Sequence, residues 1–284
     1  MTTNREQLIL DLRRIEGNSY NASSEEVAQY TDMMLRYIGD TDPVLRDDLI
    51  YNTFSEWICE KEYFCEKELL NILSILTDES HLFCGIGKDG DETVFTRTFS
   101  ILAVVLILIQ HRKKAFLTDE KFIQVKNSII RYYQEERDLR GYTDGNGWAH
   151  GAAHGADALD ELVQCEESGE EIFKEIFESI KKILYNGKYL FHNEEDERIA
   201  RVVYRMIKRK PAASRLLNDW FDGLSQCCDW DKTRKQYIAR VNTKNFVRCL
   251  YFKLVHNKVE LNIADRLLEV EAKLNRFLQF DKDI

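Results

Sequence analysis

The residues whose types and spacing could do chemistry are concentrated between positions 136 and 157. Two of the six histidines, His150 and His154, lie four residues apart in this segment, and Asp157 follows three residues later. On one helix, at roughly 100° per residue, these three side chains project within about 60° of one another. Small residues fill the positions between them, so a ligand or another helix can approach closely. The spacing predicts a polar site at this position.

One interpretation of this site is a metal centre. Two imidazoles and one carboxylate, His150, His154 and Asp157, are a ligand set suited to zinc, iron or manganese, and would support metal-dependent hydrolysis. The metalloprotease motif requires a glutamate directly after the first histidine, and Gly151 stands there instead. A divalent metal cofactor is therefore allowed by the sequence but not favoured.

A second interpretation is a hydrolase that acts on a sugar or an ester without a metal. Asp138 and Asp157 would then serve as general acid and base, and Trp148 as a platform for a sugar ring. Arg137 and Arg140 would hold an anionic substrate by paired hydrogen bonds. A closed ring of helical hairpins is a fold in which such carboxylates occur, but fold alone is weak support for a reaction.

A third interpretation is a structural network with no ligand. Arg137 or Arg140 would pair with Asp157, the two histidines would donate to carbonyl oxygens, and Trp148 would pack over them. Buried polar groups need hydrogen-bond partners, and the ends of helices supply many unpaired ones. Histidine spacing by itself does not distinguish these alternatives.

Two other segments carry charges that need partners. Arg97 stands at the head of the most apolar helix, where Asp138 or Asp196 could pair with it. His192, Asp196 and Arg198 surround the start of a helix whose other acids are explained by the helix dipole. Since charges buried alone are costly, we expect Arg97, Asp157 and Asp196 to lie within roughly 12 Å of a common centre.

Apolar residues recur at helical spacing almost everywhere, so the sequence predicts an all-α protein without a β-sheet. Helix start signals agree with this class, for example the capping box of Ser23 and Glu26. The predicted helices near the site span residues 94–112, 118–138, 147–165 and 194–209. Near the C-terminus, separate helices are expected at residues 231–240 and 243–256.

Short connectors between the predicted helices indicate antiparallel neighbours. We expect a single all-helical domain over residues 1–284, built as stacked antiparallel helical hairpins in the manner of a HEAT or ARM α-solenoid. A closed α/α ring is the alternative. The one long connector, residues 79–93 with three glycines, is either a mobile loop or an ordinary surface turn.

Composition excludes several classes of partner. The formal net charge of −9, with no basic stripe along the chain, argues against nucleic acid. The apolar run Ile101 to Ile109 is too short to span a bilayer, and Met1 to Arg14 lacks the apolar core of a signal peptide, so no membrane association is expected. Seven cysteines without a CxxC spacing favour a reducing, cytoplasmic location.

Five short segments together resemble an uncharacterised bacterial family, the domain of unknown function 2785. They are Val94 to Ser100 (VFTRTFS), Glu136 to Gly141 (ERDLRG), Gly147 to His150 (GWAH), His154 to Asp157 (HGAD) and Glu195 to Ala200 (EDERIA). The resemblance covers roughly residues 40–210, and its most specific part is the tryptophan-histidine block. It implies a bacterial, cytosolic, all-helical protein, and it implies no reaction.

The function predicted first is therefore a helical-repeat protein whose polar His/Asp/Arg pocket binds a small anionic ligand or a peptide. The two hydrolase hypotheses remain as alternatives. The residues predicted to bind the ligand are Arg97, Arg137, Arg140, Trp148, His150, His154, His192, Asp196 and Arg198.

Overall fold

The computed structural model describes residues 3–209 and 213–278, and 70% of it is helical. The α-helices are α1 (Asn4–Gly17), α2 (Ser24–Arg36), α3 (Asn52–Ser55), α4 (Glu66–Leu76), α5 (Thr93–Lys113), α6 (Asp119–Glu135), α7 (Gly151–Gln164), α8 (Glu170–Leu184), α9 (Glu195–Arg209), α10 (Ala213–Gly223), α11 (Arg234–Asn257) and α12 (Leu261–Leu274). This confirms the all-α class.

The start of α2 lies where its local signal predicts it. The hydroxyl of Ser23 accepts a hydrogen bond from the backbone N–H of Glu26 at 3.2 Å, and the Glu26 carboxylate accepts one from the N–H of Ser23 at 2.9 Å. These two bonds satisfy donors that the first turn of α2 leaves free. The predicted capping box is therefore present.

The segment before α4 is wound more loosely than an α-helix. Val44–Tyr51 and Glu56–Glu60 are π-helical turns, and the short α3 lies between them. Such turns are rare and occur often at functional sites. The first of them carries Arg46, which is fully buried.

α5 is the apolar centre of its region. It is long and apolar enough to cross a membrane, but 78% of its most apolar window is buried inside the structure. Burial of this extent is what the core helix of a folded protein shows, because the apolar surface is covered by neighbouring helices rather than by lipid. Arg97 is buried near its start.

The structure departs from the predicted elements in three places. α6 ends at Glu135, and α7 begins only at Gly151. Between them, β1 (Tyr142–Thr143) and β2 (Gly147–Trp148) form an antiparallel hairpin, so the prediction of no β-sheet was wrong. Near the C-terminus, α11 is one continuous helix where two were expected, because it contains no glycine or proline and the side chain of Asn242, at the expected break, bonds to the backbone of Phe191 and Tyr189.

The chain divides into two compact units, Met1–Glu161 and Leu162–Ile284. The first contains α1 to α6 and the hairpin. In the second, α11 packs against α9 and α12. The solenoid, the ring and the single domain stay predictions.

Candidate ligand-binding site at the hairpin

Arg97 is held by Glu136 rather than by either of the carboxylates predicted to pair with it. Its Nε and Nη2 atoms donate to the two oxygens of Glu136 at 2.6 and 2.9 Å, and neither side chain is exposed. Nη1 donates to the carbonyl of Cys84 and to Thr93 Oγ1, both at 2.8 Å. Burial alone would lower the pKa of Arg97, but the hydrogen bonds to Glu136 outweigh it and the pKa is raised. The guanidinium therefore stays charged.

The same carboxylate shapes the chain that follows α6. Glu136 Oε1 accepts the backbone N–H groups of Arg137 and Asp138 at 3.0 and 2.9 Å. One buried side chain thus binds the head of α5 and turns the backbone out of α6. The expectation that Asp138 or Asp196 pairs with Arg97 was wrong, since Glu136 occupies this role.

Asp138 is fully buried and bonded to groups within the first unit. Arg140 Nε donates to Asp138 Oδ1 at 2.8 Å, and Arg140 Nη2 to Oδ2 at 2.5 Å. The N–H of Gly90 also donates to Oδ2, at 2.9 Å, and Arg140 Nη2 reaches the carbonyl of Asp91. These bonds tie the 79–93 connector to the segment after α6. A carboxylate that accepts so many donors favours a structural role over proton transfer.

Arg46 supports the hairpin and was not recognised in the sequence. Its Nη1 donates to the carbonyl of Asp40 and its Nη2 to that of Asn146, both at 2.7 Å. The guanidinium carbon lies 4.3 Å from the ring centre of Phe95 and 4.7 Å from that of Phe99. An arginine among the apolar residues of a helix was the available signal, because such a charge must find buried partners.

Asp47 accompanies Arg46. Arg46 Nε and Asp47 Oδ1 lie 2.8 Å apart, although in the described residues neither atom makes a well-directed hydrogen bond. Burial raises the pKa of Asp47 to about 6 against the opposing charge of Arg46. Burial likewise lowers the pKa of Arg46. Both shifts have the same cause, the removal of charge from water.

The hairpin closes through backbone conformations that the helical pattern did not reveal. Gly145 and Gly147 have positive φ, and so does His150 at 50°. A Cβ on Gly147 would lie 2.8 Å from Pro43 Cβ, so only glycine fits at this close approach. The N–H of His150 donates to the carbonyl of Arg140 at 2.9 Å. His150 therefore precedes α7 rather than lying within it.

Aromatic rings continue from the hairpin into the core. Tyr142 and Trp148 meet edge to face at 4.9 Å, and Trp148 stacks on His150 with ring centres 4.1 Å apart. His150 meets His154 at 5.5 Å, and His154 meets Phe99 at 5.3 Å. Tyr142 is 57% and Trp148 38% exposed, whereas both histidines are buried. The exposed end of this stack is an aromatic notch formed by Tyr142 and Trp148 at 79° to each other.

The metal hypothesis gains no support from this arrangement. In the part of the chain that the structure describes, no group of three or more His, Cys, Asp or Glu side chains is placed to hold a metal ion. His154 Nδ1 lies 3.2 Å from the carbonyl of Thr98, which makes this nitrogen the protonated donor. Asp157 is half-buried, and its charge adds to burial in raising the pKa of Tyr133.

Arg137 is the most exposed of the three arginines predicted to bind a ligand in the first unit. It bonds through Nη1 to the carbonyls of Gln134 and Glu136 at 2.9 and 3.2 Å. Arg97 and Arg140 are each paired with a carboxylate. An anionic ligand at this place would therefore meet mainly Arg137.

The segment around His192 belongs to the second unit. There Glu195, which was not among the predicted site residues, is buried. Its carboxylate accepts hydrogen bonds from the N–H groups of His192 and Asn193 at 3.1 and 2.8 Å. Asp196 and Arg198 are half-buried, and burial raises the pKa of Asp196. The predicted convergence of this segment with Arg97 and Asp157 stays a prediction.

A cavity of about 780 Å³ lies between α2 and α4. None of the predicted site residues lines it. Its walls include Val27, Thr31, Phe64, Lys67 and Ile72. The predicted residues of the first unit surround the hairpin instead.

These features define an all-helical protein with an aromatic hairpin fixed by buried arginines. The family model described as protein of unknown function (DUF2785) matches residues 82–252, and the chain belongs to this family. The match begins and ends further along the chain than the predicted region, residues 40–210. Neither the search of curated proteins nor the search of solved structures finds a match.

Proposed function

We propose that this protein is a binding protein that recognises a peptide through the aromatic notch of Tyr142 and Trp148. The observation that carries the proposal is the indole of Trp148, which stacks on buried His150 and yet remains 38% exposed. Exposed aromatic side chains held in one orientation are typical of interfaces, because they supply contact area at little entropic cost.

The scaffold beneath the notch supports this function. Arg46 holds the carbonyl of Asn146, and the Arg97–Glu136 and Asp138–Arg140 pairs fix the preceding segment. Buried ion pairs contribute little net stability, and their use in some proteins is to specify one conformation. A preformed loop loses less entropy when a partner binds.

The shape and charge of the notch favour a peptide over an anion. Two rings at 79° form a corner that accommodates a proline ring or a flat apolar side chain, as in other aromatic grooves that bind extended peptides. Arg97 and Arg140 are already paired, and exposed Asp144 lies in the hairpin turn. We therefore expect proline-containing peptides with basic residues, recognised in the cytoplasm.

The hydrolase alternatives are less well supported. The sugar or ester reaction needs Asp138 as an acid or base, but Asp138 is unexposed and hydrogen-bonded to Gly90 and Arg140. The metal-dependent reaction needs three or more metal-binding side chains close together, and the described residues form no such group.

A peptide array tests the proposal. Wild-type protein and Trp148→Ala are applied to immobilised proline-containing peptides, and affinities for the positive peptides are measured in solution. Loss of a central aromatic contact should weaken binding by at least about tenfold. The two proteins should have similar stability, because Trp148 is partly exposed.

Trp230→Ala is the matched control. Trp230 is 36% exposed and meets Tyr185 edge to face at 5.2 Å and 79°, the same arrangement at a different place. This variant should bind peptides as the wild type does. Equal binding by Trp148→Ala, or binding to a parallel carbohydrate array with none to peptides, contradicts the proposal.

A further inference from the structure

Two adjacent cysteines occupy a short turn of the second unit, in the 3-10 helix Gln226–Asp229. Cys227 is fully buried, and its thiol points to the carbonyl of Leu224 at 3.9 Å. Cys228 is half-exposed, and its sulfur lies 3.6 Å from the carbonyl of Lys273. One sulfur thus faces the core, while the other can be reached from solvent.

The turn is held in place by a tyrosine. Tyr185 Oη donates to the carbonyl of Leu224 at 2.7 Å and accepts the N–H of Cys227 at 3.3 Å. Tyr185 also packs edge to face on Trp230. The position of Cys228 is therefore fixed without any covalent link.

Two hydrogen-bond donors for which the described part of the chain supplies no acceptor lie on α11, the helix that packs against this turn. Gln236 and Arg240 are one helical turn apart on α11, and both are more than nine-tenths buried. Among the described residues, Arg240 Nε and Gln236 Nε2 have no hydrogen-bond partner. The other bonds of this cluster run from Arg240 Nη1 to the carbonyl of Leu274 and from Arg276 Nη2 to Gln236 Oε1. Buried donors of this kind are costly unless an acceptor can reach them.

The charges of the cluster act on Cys228. The neighbouring Cys227 thiol, and then Arg240 and Arg276, lower the pKa of Cys228 below the ordinary value of a thiol, against the opposing effects of burial and Asp229. The pKa of Cys227 is raised by Cys228 and by burial. A thiolate is the nucleophilic form of cysteine, and it accepts hydrogen bonds.

We propose that Cys228 is a modification site, a reactive thiol that hydroperoxides oxidise to a sulfenate, with Arg240 and Gln236 supplying donors to the oxygen it gains. The thiolate attacks one oxygen of the peroxide, so that an S–O bond forms and the O–O bond breaks. Sulfur is oxidised by two electrons, and the peroxide is reduced to an alcohol, or to water from hydrogen peroxide. The leaving oxygen takes a proton from solvent.

Alkylation by iodoacetamide measures the reactivity of the thiol. Cys249 is the internal control, because it is half-buried in the same unit but has a pKa raised by burial and by the charge of Asp196. Peptide mass spectrometry of the full-length protein at pH 7 should show Cys228 labelled at least about tenfold faster than Cys249. Equal rates overturn the proposal.

Two variants test whether Arg240 and Arg276, rather than solvent exposure alone, make Cys228 reactive. Arg276→Ala removes a half-buried charge with little risk to the fold, and Arg240→Met removes the buried one. Each should slow the labelling of Cys228 severalfold and leave Cys249 unchanged. Unchanged labelling of Cys228 in both variants contradicts the proposed cluster.

Oxidation is tested with one equivalent of tert-butyl hydroperoxide in the presence of dimedone, which traps sulfenic acids. An adduct at Cys228 in the wild type, absent in Cys228→Ser, supports the proposal. A loss of two hydrogens from the Cys227–Cys228 peptide also supports it, because a sulfenic acid that condenses with the neighbouring thiol releases water and forms a disulfide. Adducts spread evenly over the exposed cysteines overturn it.

Discussion

Arg97 and Glu136 form a two-bond ion pair in which neither side chain is exposed, and 39 residues separate them in the sequence. The pair joins the N-terminal part of α5 to Glu136, the residue directly after α6. Since the desolvation of two charges offsets most of their attraction, its main effect is on position. It determines where the segment that leads into the hairpin begins.

Removing one partner of the Arg97–Glu136 pair should lower the free energy of unfolding far more than replacing both partners. We expect Arg97→Met to lower the free energy of unfolding by about 3–5 kcal/mol, because it leaves the Glu136 carboxylate buried without its partner. Glu136→Leu should also be destabilising, since it leaves the guanidinium charge uncompensated. Urea denaturation followed by circular dichroism gives both values.

The double variant Arg97→Met/Glu136→Leu is the control for this prediction. With both charges replaced by apolar side chains, it should recover more than half of the loss seen in Arg97→Met. Losses that simply add would show that the two residues act independently and that their contact carries no coupling energy.

The stability of the first unit should depend on the protonation of Asp47. Its pKa in the folded protein, about 6, lies above the ordinary value of 3.8, so the folded protein binds this proton more tightly than the unfolded chain does. The contribution is fully present below pH 3.8 and is lost as the pH rises through 6. Its size is on the order of 1–3 kcal/mol.

Asp47→Asn provides the measurement, because asparagine cannot titrate in this range. The free energy of unfolding of the wild type minus that of Asp47→Asn should fall between pH 4 and pH 7 and stay constant above it. A difference that rises with pH in this window would mean that Arg46 stabilises the charged carboxylate more than burial destabilises it.

The helical fold could be predicted from sequence because apolar spacing and capping residues repeat over many turns. The hairpin could not, since each strand has only two residues and its geometry depends on positive φ at Gly147 and His150. A histidine between a tryptophan and a run of small residues looks like the interior of a helix. The conformation of this segment depends on two contacts between residues distant along the helical pattern. The N–H of His150 bonds to Arg140, and Gly147 packs against Pro43.

The sequence indicated which residues could form the candidate site, but not how their charges pair. The rings of Trp148, His150 and His154 lie in contact, but His150 precedes α7 and so lies outside the helix on which His150, His154 and Asp157 were predicted to share one face. The partner of Arg97 was missed because Glu136 and Asp138 are two residues apart, and the sequence does not show which of them turns toward α5. Arg46 was missed because the residues it contacts are about 100 positions away.

Substitution of His154 tests whether this residue is a structural histidine or a metal ligand. We expect His154→Ala to lower the free energy of unfolding by about 1–3 kcal/mol, because the carbonyl of Thr98 loses its donor and the ring leaves a gap beside Phe99. His192→Ala, at an exposed position, should change stability by less than about 0.5 kcal/mol.

Elemental analysis of protein purified without a polyhistidine tag should give the same metal content before and after the His154 substitution. A stoichiometric metal that disappears in His154→Ala would restore the metal hypothesis.

Gly155 lies on α7 in tight contact with Tyr132 and Tyr133 of α6, and this contact gives the last prediction. A Cβ at this position would lie 2.5 Å from Cδ2 of Tyr133, a buried ring that cannot move aside. Alanine normally favours a helix over glycine by about 1 kcal/mol, but overpacking a core costs about 1–3 kcal/mol, so Gly155→Ala should be net destabilising. Gly17, at the end of α1, has open space around its Cβ position, and Gly17→Ala should be neutral or stabilising. Thermal unfolding of the two variants compares them directly, and a Gly155→Ala protein as stable as Gly17→Ala would show that α7 does not approach Tyr133 this closely.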